Sequence, residues 1–182
     1  MWMLTPKNYE PIRRLFPPGS GRWELLRFFY SFVSVPVYCV YPVLLLLLWR
    51  TGDARLWRVL LVPAATFVVC TLLRAKLNWP RPYDQPDFEP LLPKTGAGGA
   101  PGSTPDGANG PAGQSCPSRH AASAGIIALA GWYTSPALGG MLTVLCALIC
   151  LVRVLAGVHH PRDIAAGLGL AALFGAVGFW LL

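Results

Sequence analysis

Long apolar stretches separated by short polar clusters make up most of the chain after residue 27. Four stretches carry no charge or almost none: 28–49, 56–73 (broken only by Arg58), 121–152 and 164–182. A single helix needs about 20 mainly apolar residues to cross the ~30 Å hydrocarbon core of a bilayer. The third stretch is too long for one helix and divides at Thr134-Ser135-Pro136. The pattern therefore predicts an all-α, polytopic membrane helix bundle of about five spans: roughly 28–49, 56–75, 119–134, 137–157 and 162–182.

Two segments do not follow this pattern. Residues 1–27 form an N-terminal segment that leads into RWELLRFF (22–29), where aromatic and leucine side chains share one helical face. This part is either an interfacial helix in the membrane plane or an extension of the first span. Residues 94–115 are nearly all Gly, Ala, Pro, Ser and Thr, a composition that cannot bury enough apolar area to offset its ordering entropy. We therefore expect a membrane-embedded domain over 28–182 that contains a flexible loop at 94–115.

Charge and cysteine content narrow the possible partners. The formal net charge is +7, but the basic residues are scattered at the ends of the predicted spans. Anionic headgroups or phosphorylated substrates are thus favoured as partners, and nucleic acid is not.

Four of the five cysteines lie inside predicted spans without histidine or carboxylate neighbours. We expect neither a disulfide framework nor a metal site, and no cofactor.

Three polar clusters lie at the ends of spans. They are RAKLNWPRP (74–82), PSRH (117–120) and RVLAGVHHPRD (153–163). Because successive spans alternate in direction, the end of the second, the start of the third, the end of the fourth and the start of the fifth all face the same side. The clusters are therefore predicted to form one site at one membrane face.

The basic side chains of these clusters suit phosphate. Arg74, Arg81 and Arg153 carry planar, permanently charged guanidinium groups that match phosphate oxygens. Ser118 is placed to cap the third span, and the N–H groups at a helix start favour anions.

The histidines of the clusters suit catalysis. His159 and Asp163 are four residues apart and share a helical face, so the carboxylate can fix one ring nitrogen and leave the other as a nucleophile. His120, from another span, can protonate a leaving oxygen. His160 precedes Pro161, which favours an extended backbone, and we expect it to be a bystander at a turn or in contact with headgroups.

The three clusters resemble the signature of the type 2 phosphatidic acid phosphatase superfamily: Lys, six residues, Arg-Pro; then Pro-Ser-Gly-His; then Ser-Arg, five residues, His, three residues, Asp. The residues that match it, within about 55–182, are Arg81-Pro82, Pro117-Ser118, His120, Arg153, His159 and Asp163. Three positions differ. Arg74 occupies the Lys position, with Lys76 as a rival; Arg119 replaces Gly and adds a fourth guanidinium; and Val152 replaces Ser.

The resemblance implies a metal-independent hydrolase of lipid phosphate or pyrophosphate monoesters that acts through a phosphohistidine. In this interpretation His159 attacks phosphorus, Asp163 stabilises its charge, and His120 donates the proton. The phosphate-binding set is Arg74, Lys76, Arg81, Ser118, Arg119 and Arg153. Polyprenyl pyrophosphate, phosphatidylglycerol phosphate and phosphatidic acid all fit as substrates.

The resemblance also implies a multi-pass protein of the cell membrane with an extracytoplasmic site. The family usually has six spans, whereas only two are predicted here before the first motif. The alternatives are a phosphotransferase of the same superfamily, a haloperoxidase-like relative, and a non-catalytic protein that binds or transports a lipid phosphate.

Overall fold

The structure, a computed structural model, describes residues 3–92 and 113–181. In these residues the chain forms helices and no strands, which confirms the all-α class. The helices are α1 (Pro6–Leu15), α2 (Gly21–Phe32), α3 (Ser34–Arg50), α4 (Leu56–Leu77), α5 (Arg119–Thr134), α6 (Pro136–Leu155) and α7 (Pro161–Gly175). A 3-10 turn, Pro82–Asp84, follows α4, and a π-helical segment, Ala176–Leu181, continues α7.

Four helical stretches of the described part are long and apolar enough to cross a membrane. They are Gly21–Arg50, Leu56–Asp84, Pro136–Leu155 and Pro161–Leu181. Large apolar side chains on their outer faces are exposed, among them Leu47, Leu61 and Val144, as expected for surfaces in contact with lipid.

The helix predicted over 119–134 forms, but it differs from the other four. With 16 residues, α5 is about 24 Å long at 1.5 Å per residue, which is less than the thickness of the hydrocarbon core. It packs against α3, α4, α6 and α7, and nine of its 16 residues are buried. Contacts with other helices thus cover much of the α5 surface.

Small residues allow α5 to lie close to its neighbours. A Cβ on Gly125 would lie 3.1 Å from the Cβ of Ala171 in α7, and one on Gly131 would lie 2.9 Å from Leu142 Cδ1 in α6. Larger side chains at these positions would separate the helices, as is typical of helix contacts in membrane proteins.

Helices α2 and α3 are joined by one residue. Val33 has α-helical dihedral angles, and its N–H donates to the Phe29 carbonyl at 2.9 Å. Ser20 caps the start of α2 by accepting a hydrogen bond from the Trp23 N–H at 3.2 Å. The RWELLRFF segment is thus helical and leads directly into α3, the geometry of an extended first span.

Helix α1 has no counterpart among the predicted elements. Thr5 caps it: the Thr5 hydroxyl accepts from the Asn8 N–H at 3.3 Å, and the Asn8 side chain accepts from the Thr5 N–H at 2.7 Å. Pro6 occupies the first helical position, where its missing N–H costs nothing. The buried Tyr9 ring stacks on Phe88 at 4.7 Å.

A second hydrophobic cluster forms where α1 packs on the rest of the chain. Its buried members are Leu4, Tyr9, Leu26, Tyr30, Phe88, Leu91, Leu92, Val152, Ala156 and Val158. Since Ala156 and Val158 belong to the third polar cluster, α1 lies at the end of the bundle that carries the polar clusters.

Candidate active site

The three polar clusters meet at one end of the bundle. His120, at the start of α5, lies close enough to Arg153, His159, Arg119 and Arg74 to interact electrostatically with each. Residues from α4, α5 and the α6–α7 region therefore surround one volume.

Arg74 and Lys76 differ sharply in environment. Arg74 is only 3% exposed, and its Nη1 donates to the carbonyl of Pro117 at 3.0 Å and to that of Ser115 at 3.4 Å. Arg74 also interacts electrostatically with Asp163. Lys76 is exposed, two residues further along α4. Arg74 thus faces the cluster and Lys76 does not.

Arg81 is held by residues that precede the 94–115 segment and by a residue near the end of that segment. Its Nε donates to the Gly113 carbonyl at 3.2 Å, and its guanidinium carbon lies 5.6 Å from the centre of the Tyr83 ring. Asp84 Oδ2 accepts from the N–H of Arg81 at 2.8 Å and from that of Gly113 at 2.9 Å. These contacts join the turn after α4 to the chain that leads into α5.

Most of the 94–115 segment, for which flexibility is predicted, lies outside the described residues. Its last three residues, 113–115, are described, and Gly113 and Ser115 are buried. The Ser115 N–H donates to the Trp79 carbonyl at 2.9 Å. This end of the segment is therefore fixed to the residues that follow α4.

Ser118 occupies the N-cap of α5. Its hydroxyl accepts from the Ala121 N–H at 3.5 Å, and its own N–H donates to the Asp163 carbonyl at 2.9 Å. A Cβ at Gly167 would lie 2.6 Å from the Ser118 carbonyl oxygen, so α7 reaches α5 here because residue 167 is glycine. Arg119 follows and is exposed.

His159 and Asp163 face each other inside the protein. Their side chains are 5% and 0% exposed, and His159 Nδ1 lies 3.6 Å from Asp163 Oδ2. This distance is longer than that of a hydrogen bond. The same oxygen accepts from the Ser115 hydroxyl and, at 3.0 Å, from the His160 N–H. Asp163 is thus fixed by two donors, and His159 is a third, longer contact.

The environment keeps His159 neutral. Burial lowers the pKa of His159 from 6.5 to about 4, with the charges of Arg81 and Arg74 acting in the same direction and Asp163 opposing them. At neutral pH the imidazole therefore has a free lone pair, as a nucleophile requires.

Arg153 and Arg162 are each placed over an aromatic ring. The guanidinium carbon of Arg153 lies 4.5 Å from the centre of the Tyr30 ring, and that of Arg162 lies 4.6 Å from the centre of the Trp79 ring. Within the described part of the chain, the buried Nε of Arg153 has no hydrogen-bond partner. Cation–π contact orients a guanidinium without using its N–H donors, so those of Arg153 stay available to an anion.

His160 lies in the turn before α7, the first of the two places expected for it. It is completely buried, and its Nδ1 accepts from the Leu4 N–H at 3.0 Å. Burial lowers the pKa of His160, which favours the neutral ring that this hydrogen bond requires. The residues just before α1 cover this turn through the hydrogen bond from Leu4, so the ring lies inside the protein.

Sequence reasoning missed three contributors to the site: Ser115, Tyr30 and Leu4. Ser115 precedes PSRH by two residues but falls in a stretch of loop-like composition. The other two come from the N-terminal region, and no local pattern links Tyr30 to Arg153 or Leu4 to His160.

A sequence profile of the PAP2 superfamily matches residues 55–182. The chain therefore belongs to the PAP2 superfamily, as the three motifs suggest. Membership supports a phosphatase that acts on a lipid phosphate at a membrane.

Among solved structures, the crystal structure of LpxE from Aquifex aeolicus is similar, with a TM-score of 0.67 and 22% identity. The match covers 93% of this chain and 92% of LpxE, so the two share a fold over nearly their whole lengths. A search of curated proteins gave no match.

Proposed function

We propose that this protein hydrolyses a phosphate or pyrophosphate monoester of a membrane lipid through a phosphohistidine at His159. The observation that carries the proposal is the buried pair of His159 and Asp163 among the arginines of three separate motifs. A protein that only binds or transports a lipid phosphate needs the arginines, but it has no need of a carboxylate fixed against an imidazole.

The reaction has two steps. First, Nε2 of His159 attacks phosphorus while the bond from phosphorus to the lipid oxygen breaks. His120 donates a proton to that oxygen, and Asp163 stabilises the positive charge that develops on His159. Second, water attacks the phosphohistidine and gives a proton to His120. Inorganic phosphate leaves, and both histidines return to their starting states.

Positioning and charge neutralisation by arginines dominate such a transfer. Arg74, Arg81 and Arg153 are proposed to hold the phosphate oxygens together with the start of α5 at Ser118. We assign Arg74 rather than Lys76 to the Lys position of the signature because Arg74 is the buried member of the pair. Arg119 is exposed at the helix start and is proposed to meet the phosphate or pyrophosphate group as it enters.

The substrate is proposed to be a lipid whose tail stays in the bilayer, since the site lies at one end of apolar helices. Polyprenyl pyrophosphate, phosphatidylglycerol phosphate and phosphatidic acid remain the candidates, and the site is proposed to face the extracytoplasmic side of the cell membrane. A single cysteine introduced at a position in 96–113, in a background without Cys116, tests the orientation. Labelling of intact cells by a membrane-impermeant thiol reagent is expected, and labelling only after lysis contradicts the assignment.

Release of inorganic phosphate by the purified protein in detergent tests the activity. The three candidate lipids are supplied separately, with no alcohol other than water as acceptor, and His159→Ala is the control. Release by the wild type from at least one lipid, lost in the variant, supports hydrolysis. Release that requires an added alcohol indicates the phosphotransferase, and binding of all three lipids without release indicates a non-catalytic protein.

A further inference from the structure

The main chain of Leu4 joins two loops of the site. Its N–H donates to His160 Nδ1 at 3.0 Å, in the turn between α6 and α7. Its carbonyl accepts from Gln85 Nε2 at 2.9 Å, just after the turn that carries Arg81. Leu4 is itself buried; its hydrogen bond to His160 is buried and the one from Gln85 is partly buried.

Helix α1 fixes the position of Leu4. The Tyr9 hydroxyl donates to the Leu155 carbonyl at 2.7 Å and accepts from the Leu91 N–H at 3.2 Å. A Cβ on Gly157, which has a φ of +78°, would lie 2.7 Å from the Tyr9 oxygen. Arg13 forms an ion pair with Glu89 at 2.6 Å. Helix α1 is therefore attached both to the end of α6 and to the segment after α4.

His160 connects this attachment to the reacting side chains. Its ring is held by Leu4, and its own N–H donates to Asp163 Oδ2 at 3.0 Å. That oxygen is the one 3.6 Å from His159 Nδ1. A rotation or shift of residue 160 would thus move both the nucleophile next to it and the carboxylate that faces the nucleophile.

We propose that the N-terminal segment, residues 3–16, is a positioning element for catalysis, and that it acts through the hydrogen bond from the Leu4 N–H to His160. In this view His160 is a positioning residue and not a bystander. The inference rests on the proposed role of His159 as the nucleophile.

Two matched pairs of variants test the hydrogen bond. Leu4→Pro removes the N–H donor, whereas Leu4→Ala shortens the side chain and keeps the donor. His160→Leu removes the acceptor, whereas His160→Asn places Oδ1 near the former position of Nδ1 and keeps an acceptor. Phosphate release from a short-chain phosphatidic acid in detergent micelles gives kcat and KM, and thermal unfolding of each variant is followed in parallel.

Loss of either partner is expected to lower kcat about tenfold or more with KM within about threefold, because the phosphate-binding arginines remain in place. Leu4→Ala and His160→Asn are expected to stay within about threefold of the wild-type kcat. Equal losses within each pair, or a change confined to KM, would overturn the inference. Should Leu4→Pro fail to fold, the His160 pair decides alone.

An NMR measurement separates this inference from the proposed function. The chain has three histidines, so 15N-histidine spectra are readily assigned with single variants. Leu4→Pro is expected to shift the ring signals of both His160 and His159, and Leu4→Ala is not. If the wild type releases no phosphate but these shifts occur, the reaction is wrong and the attachment stands. If phosphate is released but the His159 signals are the same in both Leu4 variants, only the positioning inference fails.

Discussion

Substitution of Arg74 by alanine tests the assignment of a buried guanidinium to the phosphate. Arg74 and Lys76 lie two residues apart near the end of α4, yet only Arg74 points into the protein. The pair is therefore an internal comparison: the same charge is removed from the same helix, once inside the cluster and once outside it.

The structure gives the magnitude expected for Arg74→Ala. The Pro117 carbonyl loses its donor at 3.0 Å and keeps only the weak Cys70 thiol donor at 3.9 Å, so the loss of folding stability is expected to be at the lower end of the range of about 1–3 kcal/mol that an unpaired buried acceptor costs. A charge-assisted hydrogen bond to phosphate contributes about 1.5–3 kcal/mol. Since about 1.36 kcal/mol corresponds to a factor of ten in rate, kcat/KM is expected to fall by roughly 10- to 150-fold. Arg74→Lys keeps the charge but loses the planar guanidinium, so its kcat/KM is expected to lie between those of the wild type and Arg74→Ala.

Steady-state phosphate release and thermal unfolding in one detergent measure both effects. Lys76→Ala is the matched control and is expected to retain kcat/KM within about twofold, as is usual for an exposed charge. A folded Arg74→Ala variant with unchanged kcat/KM would refute the assignment. So would a larger loss in Lys76→Ala, which would move the Lys position of the signature to residue 76.

Three further outcomes follow from the site. Ser115→Ala removes one of two donors to Asp163, so kcat is expected to fall about tenfold with KM unchanged. Ser34→Ala, at another buried serine, serves as control, and an equal fall of kcat in both variants would contradict a role for Ser115. Burial lowers the pKa of His159 to about 4, so the NMR titration of its ring is expected to have a midpoint near pH 4. A midpoint above pH 6 would contradict this environment. Because the unfolded imidazole binds a proton below about pH 6.5 and the folded one only near pH 4, stability is expected to decrease as pH falls through this window. Activity is expected to survive excess EDTA and to be inhibited by vanadate, whereas loss on chelation that Mg²⁺ restores would overturn the metal-independent mechanism.

The position of the site could be predicted because two independent regularities agree. Apolar runs define helices that run the length of the bundle. Because successive helices alternate in direction, Arg74, His120 and Arg153 come to lie at the same end. The spacing from Arg153 to His159 and on to Asp163 then places these residues at the end of one helix, in the following turn and at the start of the next helix. Neither argument requires knowledge of side-chain packing, so both apply to the sequence alone.

Elements that depend on packing were harder to predict. The 119–134 helix has the composition of a span, but its glycines and alanines reflect contact with α6 and α7 and not with lipid. Helix α1 had a detectable signal, since Thr5-Pro6 is a typical helix start. The proposed positioning role of this segment had no sequence signal, because the hydrogen bond from Leu4 to His160 joins residues 156 positions apart.

The two adjacent histidines show why the sequence argument was incomplete. From the sequence, His159 is paired with Asp163 because the two share a helical face, and His160 is expected to be a bystander because it precedes Pro161. The main chain of His160 makes the shorter contact: its N–H donates to Asp163 Oδ2 at 3.0 Å, and the Asp163 N–H donates back to the His160 carbonyl at 3.0 Å. These bonds are those of a helix start, so Asp163 caps α7 with the same oxygen that faces His159. Capping interactions of this kind stabilise a helix start by about 0.5–2 kcal/mol, so the hydrogen bonds that stabilise the start of α7 also hold the carboxylate that faces the proposed nucleophile.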